Sequence, residues 1–296
     1  FLASIFFVLP PWEVSAGESI RSLRGVLAHY ALSYPAGGMD SIPHALLGLV
    51  GPAGGEIVVG RSVTHIERRE AGGRRGFGVT MDDGRSCFAP SVVSAVSPAA
   101  LLRLLPADDL PGEWSARVRA LRPAGNAFQL KLALRRPLLE EGCMIGGLSP
   151  SGLGVADLSI DLMRRSVASL AAGRISDPLP VYAPVPSNFD PRLAPPGCQL
   201  IVASIYCGLV DEPVDPPEAW ERRSLDALAQ VIPGLRDELL FVESCTVAGL
   251  GRWMGREVPA AIAGGQFPEQ VGAARLPVRT PLPGLVMCGD GAGGRG

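Results

Sequence analysis

The stretch that decides the fold is Gly284–Gly296, GLVMCGDGAGGRG, in which an apolar run leads into Gly-Asp and then into a cluster of glycines. The apolar run predicts a short buried strand, and the glycines predict a tight turn at its carboxyl end. Gly291, Gly293 and Gly296 also have the G-x-G-x-x-G spacing of a dinucleotide-binding turn. The turn therefore either opens a dinucleotide-binding fold or closes one.

Three interpretations of this turn are open. A turn that opens the fold requires a following helix and an acidic residue about 20 residues further on, and the sequence shows neither after Gly296. A turn that meets an already bound dinucleotide needs Gly289 for close backbone approach and Asp290 to accept a hydrogen bond from a ribityl hydroxyl. The third interpretation is an ordinary surface turn. We favour the second, in which a helix directs its N-terminal amides at a phosphate or a flavin carbonyl. The glycines that would open this helix are Gly291, Gly293 and Gly294.

The composition predicts a well-packed globular protein. Of the 296 residues, 47% are hydrophobic and 19% are charged, which suits a large core and argues against disorder. The length allows one large domain or two ordinary ones. The net charge of -2 gives no electrostatic footprint for nucleic acid, so a nucleic-acid partner is not expected.

The cysteines and the two ends of the chain lead to three further expectations. Six cysteines occur without a C-x-x-C pair and beside only three histidines, so we expect no metal site and reduced core thiols, Cys288 included. Such thiols predict a reducing, cytoplasmic compartment. The opening FLASIFFVLPPWE is too short to span a bilayer. Because the chain starts at Phe1 and stops in glycines, we expect a fragment cut at both ends.

Periodicity and turn residues predict the elements. Ser15 and Glu18 form a capping box for a first helix, and Asp83-Gly84 predicts a hairpin turn. The remaining predicted helices are 40–50, 99–105, 113–121, 158–172 and 216–231. The predicted strands are 56–60, 62–70, both arms of the hairpin at 76–88, 90–98, 124–135, 179–185, 198–207 and 239–247.

Five stretches, in order, resemble the C-terminal part of phytoene desaturase-like, FAD-dependent oxidoreductases of the amine-oxidase superfamily. The stretches are YPAGGM (34–39), GGEIVVGRSVTHIE (54–67), SVVSAVSP (91–98), VPSNFDPRLAPPGCQ (185–199) and RTPLPGLVMCGD (279–290). The likeness covers nearly the whole chain. It implies that the final glycine cluster closes the flavin side of the site, while the ADP-binding glycine motif belongs to an N-terminal part.

The resemblance implies an α/β (α+β mixed) fold. A partial FAD/NAD(P)-binding Rossmann-like domain is interleaved with a substrate domain built on a mixed sheet and helices. The implied division is 1–33 (helical part of the substrate domain), 34–98 (FAD-binding portion), 99–258 (substrate domain) and 259–296 (closing strand and glycine turn). The implied cofactor is FAD. Besides the glycine cluster and Asp290, the implied cofactor-binding residues are Gly37, Gly38, Met39, Val63 and Ser94.

For Val63 the alternative is an ordinary core valine, and for Gly37 and Gly38 it is a simple turn. Asp190 is expected to be a turn former.

The resemblance also implies the activity. An apolar, polyene- or terpenoid-like substrate is desaturated, oxidised or isomerised, with peripheral membrane association as a further expectation. Two departures argue against phytoene itself: the family's S-N-A-D-P is here Ser94–Pro98, SAVSP, and its P-G-G-G is loosened after Asp290. The alternatives are a flavin amine oxidase, which needs an aromatic pair facing the flavin, and a non-catalytic lipid- or prenyl-binding protein. The sequence names no catalytic base, and the chain alone is expected to be inactive.

Overall fold

The computed structural model describes residues 7–29, 33–149, 152–154, 160–208, 213–255 and 264–293. The chain divides into two compact units. The first unit is Phe1–Ala53 with Ala124–Ile262, and the second unit is Gly54–Pro123 with Ala263–Gly296. These boundaries differ from the predicted ones, since the helix at 41–50 lies in the first unit and the helices between 98 and 119 lie in the second.

The elements follow the chain in an order that alternates between the units. The first two are α1 (Ala16–His29) and α2 (Ser41–Val50); these and the elements between Asn126 and Met254 belong to the first unit, and the others belong to the second unit. After α2, in chain order, they are β1 (Val63–Ala71), β2 (Arg74–Met81), β3 (Ser86–Ala89), β4 (Val92–Ser94), α3 (Pro98–Leu104), α4 (Gly112–Arg119), β5 (Asn126–Leu134), β6 (Cys143–Ser149), β7 (Gly152–Gly154), α5 (Ile160–Ala171), β8 (Leu179–Pro184), α6 (Pro186–Phe189), β9 (Gln199–Gly208), α7 (Pro217–Val231), α8 (Leu235–Glu238), β10 (Leu239–Cys245), α9 (Val247–Met254) and β11 (Leu285–Met287).

The first unit is built on a six-stranded sheet in the order β10-β5-β9-β8-β6-β7. Neighbouring strands pair antiparallel throughout the described sheet, rather than in the mixed arrangement predicted for this part. Side chains alternate between the two faces of the sheet along each strand. On β5, Leu130 and Leu132 point to one face and are fully buried, while Lys131 between them points to the other face and is exposed. Trp220 and Leu228 of α7 complete the same core, so helices cover one face of the sheet.

The second unit contains two small sheets. An antiparallel meander, β1-β2-β3, turns at Gly84, whose φ of 81° supplies the left-handed residue that the predicted hairpin needs. A separate parallel pair joins β4 to β11. Phe77 of β2, Leu101 of α3 and Leu285 of β11 belong to one buried core, which holds these pieces together.

The predicted elements are largely confirmed, with specific exceptions. The Glu18 amide donates to the Ser15 hydroxyl at 3.4 Å, as the capping box requires. The predicted strand at 56–60 is wrong: Val59 is 81% exposed, and an apolar run forms a strand only where a neighbour supplies hydrogen bonds. Sequence patterns missed β6, β7 and α9. All of α2 lies outside the core.

Candidate functional site

The parallel pair of β4 and β11 positions the glycine turn. Met287 lies opposite Ser94, and the next amide, that of Cys288, donates to the Ser94 carbonyl at 2.8 Å. Because the strands are parallel, both carboxyl ends meet at one edge, and open α/β sheets bind ligands at such edges. Ser94 is itself buried, at 7% exposure. Ser94 and the turn after Cys288 are therefore brought together, as the resemblance implied.

Glycine is required at three points of this turn. Gly289 has a φ of 91° and Gly293 a φ of 65°, both in the left-handed region that other residues rarely adopt. Gly291 has no such φ, but a Cβ there would lie 2.6 Å from Cδ of Pro98 at the start of α3. Gly289 thus leaves bare backbone at the end of the strand, which fits the close approach that a dinucleotide needs, whereas Gly291 lets the turn pack on α3. Gly294 lies outside the described residues.

Asp290 occupies the centre of the turn and is half-buried. The Ala292 amide donates to the Gly289 carbonyl at 3.4 Å, so the chain begins to coil immediately after the strand. The carboxylate therefore lies where a strand ends and a helical turn begins, the position expected for a group that accepts a ligand hydroxyl.

Val63 does not join this group. It begins β1, pairs with Met81 at an irregular point of the meander, and is 40% exposed. The interpretation of Val63 as a core valine is therefore wrong for this structure. An adenine-side contact of its backbone stays a prediction.

Gly37, Gly38 and Met39 lie in the first unit. Both glycines have left-handed φ values, 84° and 83°, within a turn that leads directly into α2. Ser41 at the start of that helix donates its hydroxyl to the Gly38 carbonyl at 2.7 Å. Met39 is 63% exposed. The turn is real and opens the helix, as expected, and its contact with a cofactor stays a prediction.

Asp190 is the site residue whose role the sequence did not reveal. It was expected to be a turn former, and it does cap the 3₁₀ turn Pro191–Leu193. It also accepts the Gly37 amide at 2.7 Å and pairs with Arg192 at 2.7 Å. The hydrogen bonds from Arg192 and Gly37 hold the pKa of this carboxyl well below its ordinary value. The signal available in the sequence was the spacing Asp-x-Arg after a turn, which is common and so carries little weight.

Within the described residues, the helices that join the core pack on one face of the sheet in the first unit, and side chains on its second face stay partly exposed. We call this second face the open face. Ile145 lies opposite Tyr182 and Tyr182 opposite Ser204, so the three side chains form a row across β6, β8 and β9. Tyr182 is 44% exposed. The open face is mainly apolar and aromatic and consists of Ile145, Tyr182, Leu200, Val202, Ser204, Tyr206, Ala133, Lys131, Gln129 and Phe241.

Comparison with known proteins identifies the family. The family described as flavin containing amine oxidoreductase matches residues 2–295. The chain belongs to this family. A mouse protein, pyridine nucleotide-disulfide oxidoreductase domain-containing protein 2, is 25% identical over 283 residues, which cover 88% of this chain and 48% of the relative. Its rat counterpart is 24% identical, with 92% and 49% covered. The chain thus spans about half the length of the curated relatives it matches.

Solved structures agree with the fold. A putrescine oxidase double mutant superposes with a TM-score of 0.55 at 16% identity, over 85% of this chain and 46% of that one. Reduced UDP-galactopyranose mutase gives a TM-score of 0.51 at 12% identity, over 90% and 52%. The predicted mixed α/β flavoprotein fold is confirmed. At these identities the likeness establishes the fold and not a substrate.

The predicted FAD cofactor is confirmed at the level of the family, and the glycine turn fits it. Gly289 supplies the left-handed backbone that the turn needs, Gly291 lets the turn pack against Pro98, and Asp290 adds an acceptor at the same edge. In the part of the chain that the structure describes, no helix combines the length and apolarity needed to cross a bilayer.

The expectation of core thiols holds only in part. Cys207 is buried, whereas Cys87 and Cys288 are exposed. Side chains alternate between the two faces of a strand, and Cys87 in β3 and Cys288 directly after β11 lie on the outward face.

Proposed function

We propose that this chain is the flavin-side and substrate-side portion of an FAD-dependent oxidoreductase that desaturates, oxidises or isomerises an apolar, polyene- or terpenoid-like substrate. The observation that carries the proposal is the parallel pairing of β4 with β11, which brings Ser94 together with a turn that must contain glycine at Gly289, Gly291 and Gly293. A glycine turn at the carboxyl ends of two parallel strands is the kind of edge at which α/β sheets bind ligands.

The residues have separate tasks in this proposal. Gly289 lets the backbone approach the cofactor, Gly291 and Gly293 let the turn pack against Pro98 and Val278, and Asp290 accepts a hydrogen bond from the ribityl chain of the cofactor. Gly37, Gly38 and Met39 form the cofactor-facing turn of the first unit, held by Asp190. When bound, FAD supplies the two-electron acceptor for hydride removal. The chain itself binds, orients and excludes water.

The open face supports an apolar substrate. Leu200, Val202 and Ile145 are partly exposed on it although they are aliphatic. Its ion pair, Lys131 with Glu243 at 3.1 Å, lies toward β10, at the far side from Ile145. An apolar ligand would bury aliphatic surface here at about 25 cal/mol per Å².

Two alternatives remain in view. An amine oxidase is favoured by the family's own description, flavin containing amine oxidoreductase. A non-catalytic lipid-binding protein is disfavoured by the family match, whose description is that of a flavin containing oxidoreductase.

The deciding experiment is a visible absorption spectrum. The protein is expressed from its full natural reading frame, beside the 296-residue chain, and each is purified with added FAD. Oxidised-flavin bands that survive gel filtration, and bleach when a polyene but no amine is added without oxygen, support the proposal. Bleaching by amines alone supports the amine oxidase. No retained flavin in either form overturns the oxidoreductase and favours lipid binding.

Location is a further proposal. We infer a cytoplasmic protein that attaches peripherally to membranes, because apolar substrates partition into lipid. Flotation with neutral lipid vesicles tests this, and a protein that stays entirely at the bottom of the gradient contradicts it.

A further inference from the structure

In the second unit, a short segment runs along the edge of β11 that does not pair with β4. We call residues 275–278 the backing segment. The Met287 amide, at the end of β11, donates to the Val278 carbonyl at 2.8 Å. Beyond the strand, the Gly293 amide donates to the Leu276 carbonyl at 2.9 Å. The backing segment therefore holds the chain both before and after Asp290.

The glycine turn is fixed at each end by hydrogen bonds from the backbone. At its start, the Cys288 amide donates to the Ser94 carbonyl at 2.8 Å, beside the bond of Met287. At its end, Gly293 packs so closely on the Val278 side chain that a Cβ on Gly293 would overlap Cγ2 of Val278. Asp290 lies between these two ends. The position of its carboxylate therefore depends on where the backing segment holds Gly293.

Arg275 begins the backing segment and ties it to a buried side chain. Its Nη2 donates to Oε1 of Gln266 at 2.8 Å. Gln266 is 7% exposed, and its Nε2 donates to the Gly264 carbonyl at 3.1 Å, so the acceptor is itself held in place. Hydrogen bonds from a charged donor are about twice as strong as neutral ones. The next residue, Leu276, is buried in the core of this unit. The guanidinium and the apolar side chain together hold the peptide that accepts the Gly293 amide.

Arg279, which directly follows the backing segment, differs from Arg275 in this respect. Its side chain is exposed, and within the described residues it makes no hydrogen bond or ion pair. Two arginines four residues apart thus carry the same charge, but only Arg275 connects the backing segment to Gln266.

We propose that Arg275 is a positioning residue for FAD. Through Gln266 it holds the backing segment, and the backing segment holds the Gly293 end of the glycine turn, so that Asp290 meets the ribityl chain. Arg275 itself does not contact the cofactor in this proposal. The inference rests on the proposed function, because it concerns the cofactor site of that function.

The test compares FAD dissociation constants, measured by quenching of flavin fluorescence well below the melting temperature. The protein is expressed from its full natural reading frame. Arg275→Gln should raise the dissociation constant about three- to tenfold, the value of one hydrogen bond. Arg279→Gln is the matched control, since it removes the same charge, and it should bind FAD like the wild type. Arg275→Lys keeps a donor for Gln266 and should bind FAD more tightly than Arg275→Gln.

A double variant tests whether the effect passes through Gln266. Once Arg275→Gln has removed the guanidinium, adding Gln266→Ala should weaken FAD binding little further, because the two side chains act through one hydrogen bond. Losses that add in full would show two separate structural effects and contradict the proposal.

Hydrogen exchange before FAD is added gives a readout that does not need the cofactor. The peptide that contains Gly293 should exchange faster in Arg275→Gln than in the wild type or in Arg279→Gln. Unchanged FAD binding in Arg275→Gln, or an equal loss in Arg279→Gln, overturns this inference and leaves the proposed function standing. A wild type that binds no FAD overturns the proposed function and the role of Arg275 in it, while the exchange rates still decide whether Arg275 holds the turn.

Discussion

Substituting Gly291 by alanine tests the glycine turn most directly. The new Cβ would lie 2.6 Å from Cδ of Pro98. Ordinary carbon contacts begin near 3.5 Å, so either the turn or α3 must move by about 1 Å. Pro98 cannot yield easily, because it is buried at the first turn of α3, where the side chain of Ser97 accepts a hydrogen bond from the Ala100 amide.

The magnitude follows from two opposing effects. Forcing an extra carbon into a packed site costs about 1–3 kcal/mol. Replacing glycine by alanine also restricts the unfolded chain and returns about 0.4–1 kcal/mol. The net destabilisation is about 1–2 kcal/mol, which lowers the melting temperature by roughly 2–8 °C for a chain of this size class. If the turn also holds FAD, the dissociation constant should rise about five- to thirtyfold.

Gly112→Ala is the control. Gly112 begins α4, its φ is not left-handed, and no atom lies within 4 Å of a Cβ placed there. Alanine should stabilise that helix slightly, so the two variants should shift in opposite directions. Thermal unfolding followed by circular dichroism measures both, and flavin fluorescence measures FAD affinity. A Gly291→Ala protein as stable as Gly112→Ala, with unchanged FAD affinity, would refute the packing of the turn against α3.

Three further outcomes are expected. Asp190→Asn should destabilise the protein at neutral pH, because Arg192 and the Gly37 amide stabilise the ionised carboxylate in the folded state and so lower its pKa. The loss in the free energy of unfolding against the wild type should vanish as the pH falls through the range below the ordinary pKa of Asp. A loss that stays constant with pH in urea titrations would contradict this. A thiol reagent at pH 8 should label Cys288 in the native protein but Cys207 only after denaturation, since burial raises the pKa of Cys207 to about 12; equal labelling of the two would count against the fold of β9. Leu130→Ala, at a fully buried position, should cost about 2–5 kcal/mol in denaturant unfolding, and a loss below 1 kcal/mol would show that the sheet core is misplaced.

Local patterns predicted most elements because the deciding interactions are local. The strand at 124–135 was predicted from alternation and is found as Asn126–Leu134. The helix at 216–231 was predicted from its period and is found as Pro217–Val231. In both segments the spacing of the apolar residues, every second residue for the strand and every third or fourth for the helix, is enough to identify the element.

The misses have a common physical cause. Glycine weakens both helix and strand preference, and it hides β6, whose sequence is CMIGGLS, and α9, whose sequence is VAGLGRWM. A local signal for α9 did exist, since Thr246 accepts the Gly249 amide at 2.9 Å as a helix cap. For β6 the signal is not local, because its hydrogen bonds come from β8, more than thirty residues later in the chain.

The candidate site depends on contacts that no local pattern encodes. The Gly37 amide meets Asp190 across a separation of 153 residues. Likewise β4 pairs with β11, although the two strands lie far apart in the sequence and no hairpin connects them. Because closing such long loops costs entropy, a contact of this kind persists only when several interactions fix it together.

Those interactions explain why particular short stretches stood out in the sequence. YPAGGM supplies both Tyr34 for the ring stack and Gly37 for the hydrogen bond, while VPSNFDPRLAPPGCQ supplies Phe189 and Asp190 opposite them. In the same way, SVVSAVSP and RTPLPGLVMCGD supply the two strands of the parallel pair. Four of the five stretches therefore form two meeting points, one in each unit, where distant parts of the chain hold each other. This geometry gives Asp190 its role. Its carboxylate holds the Gly37 turn in place, so the site depends on Asp190 even without a contact between Asp190 and a ligand.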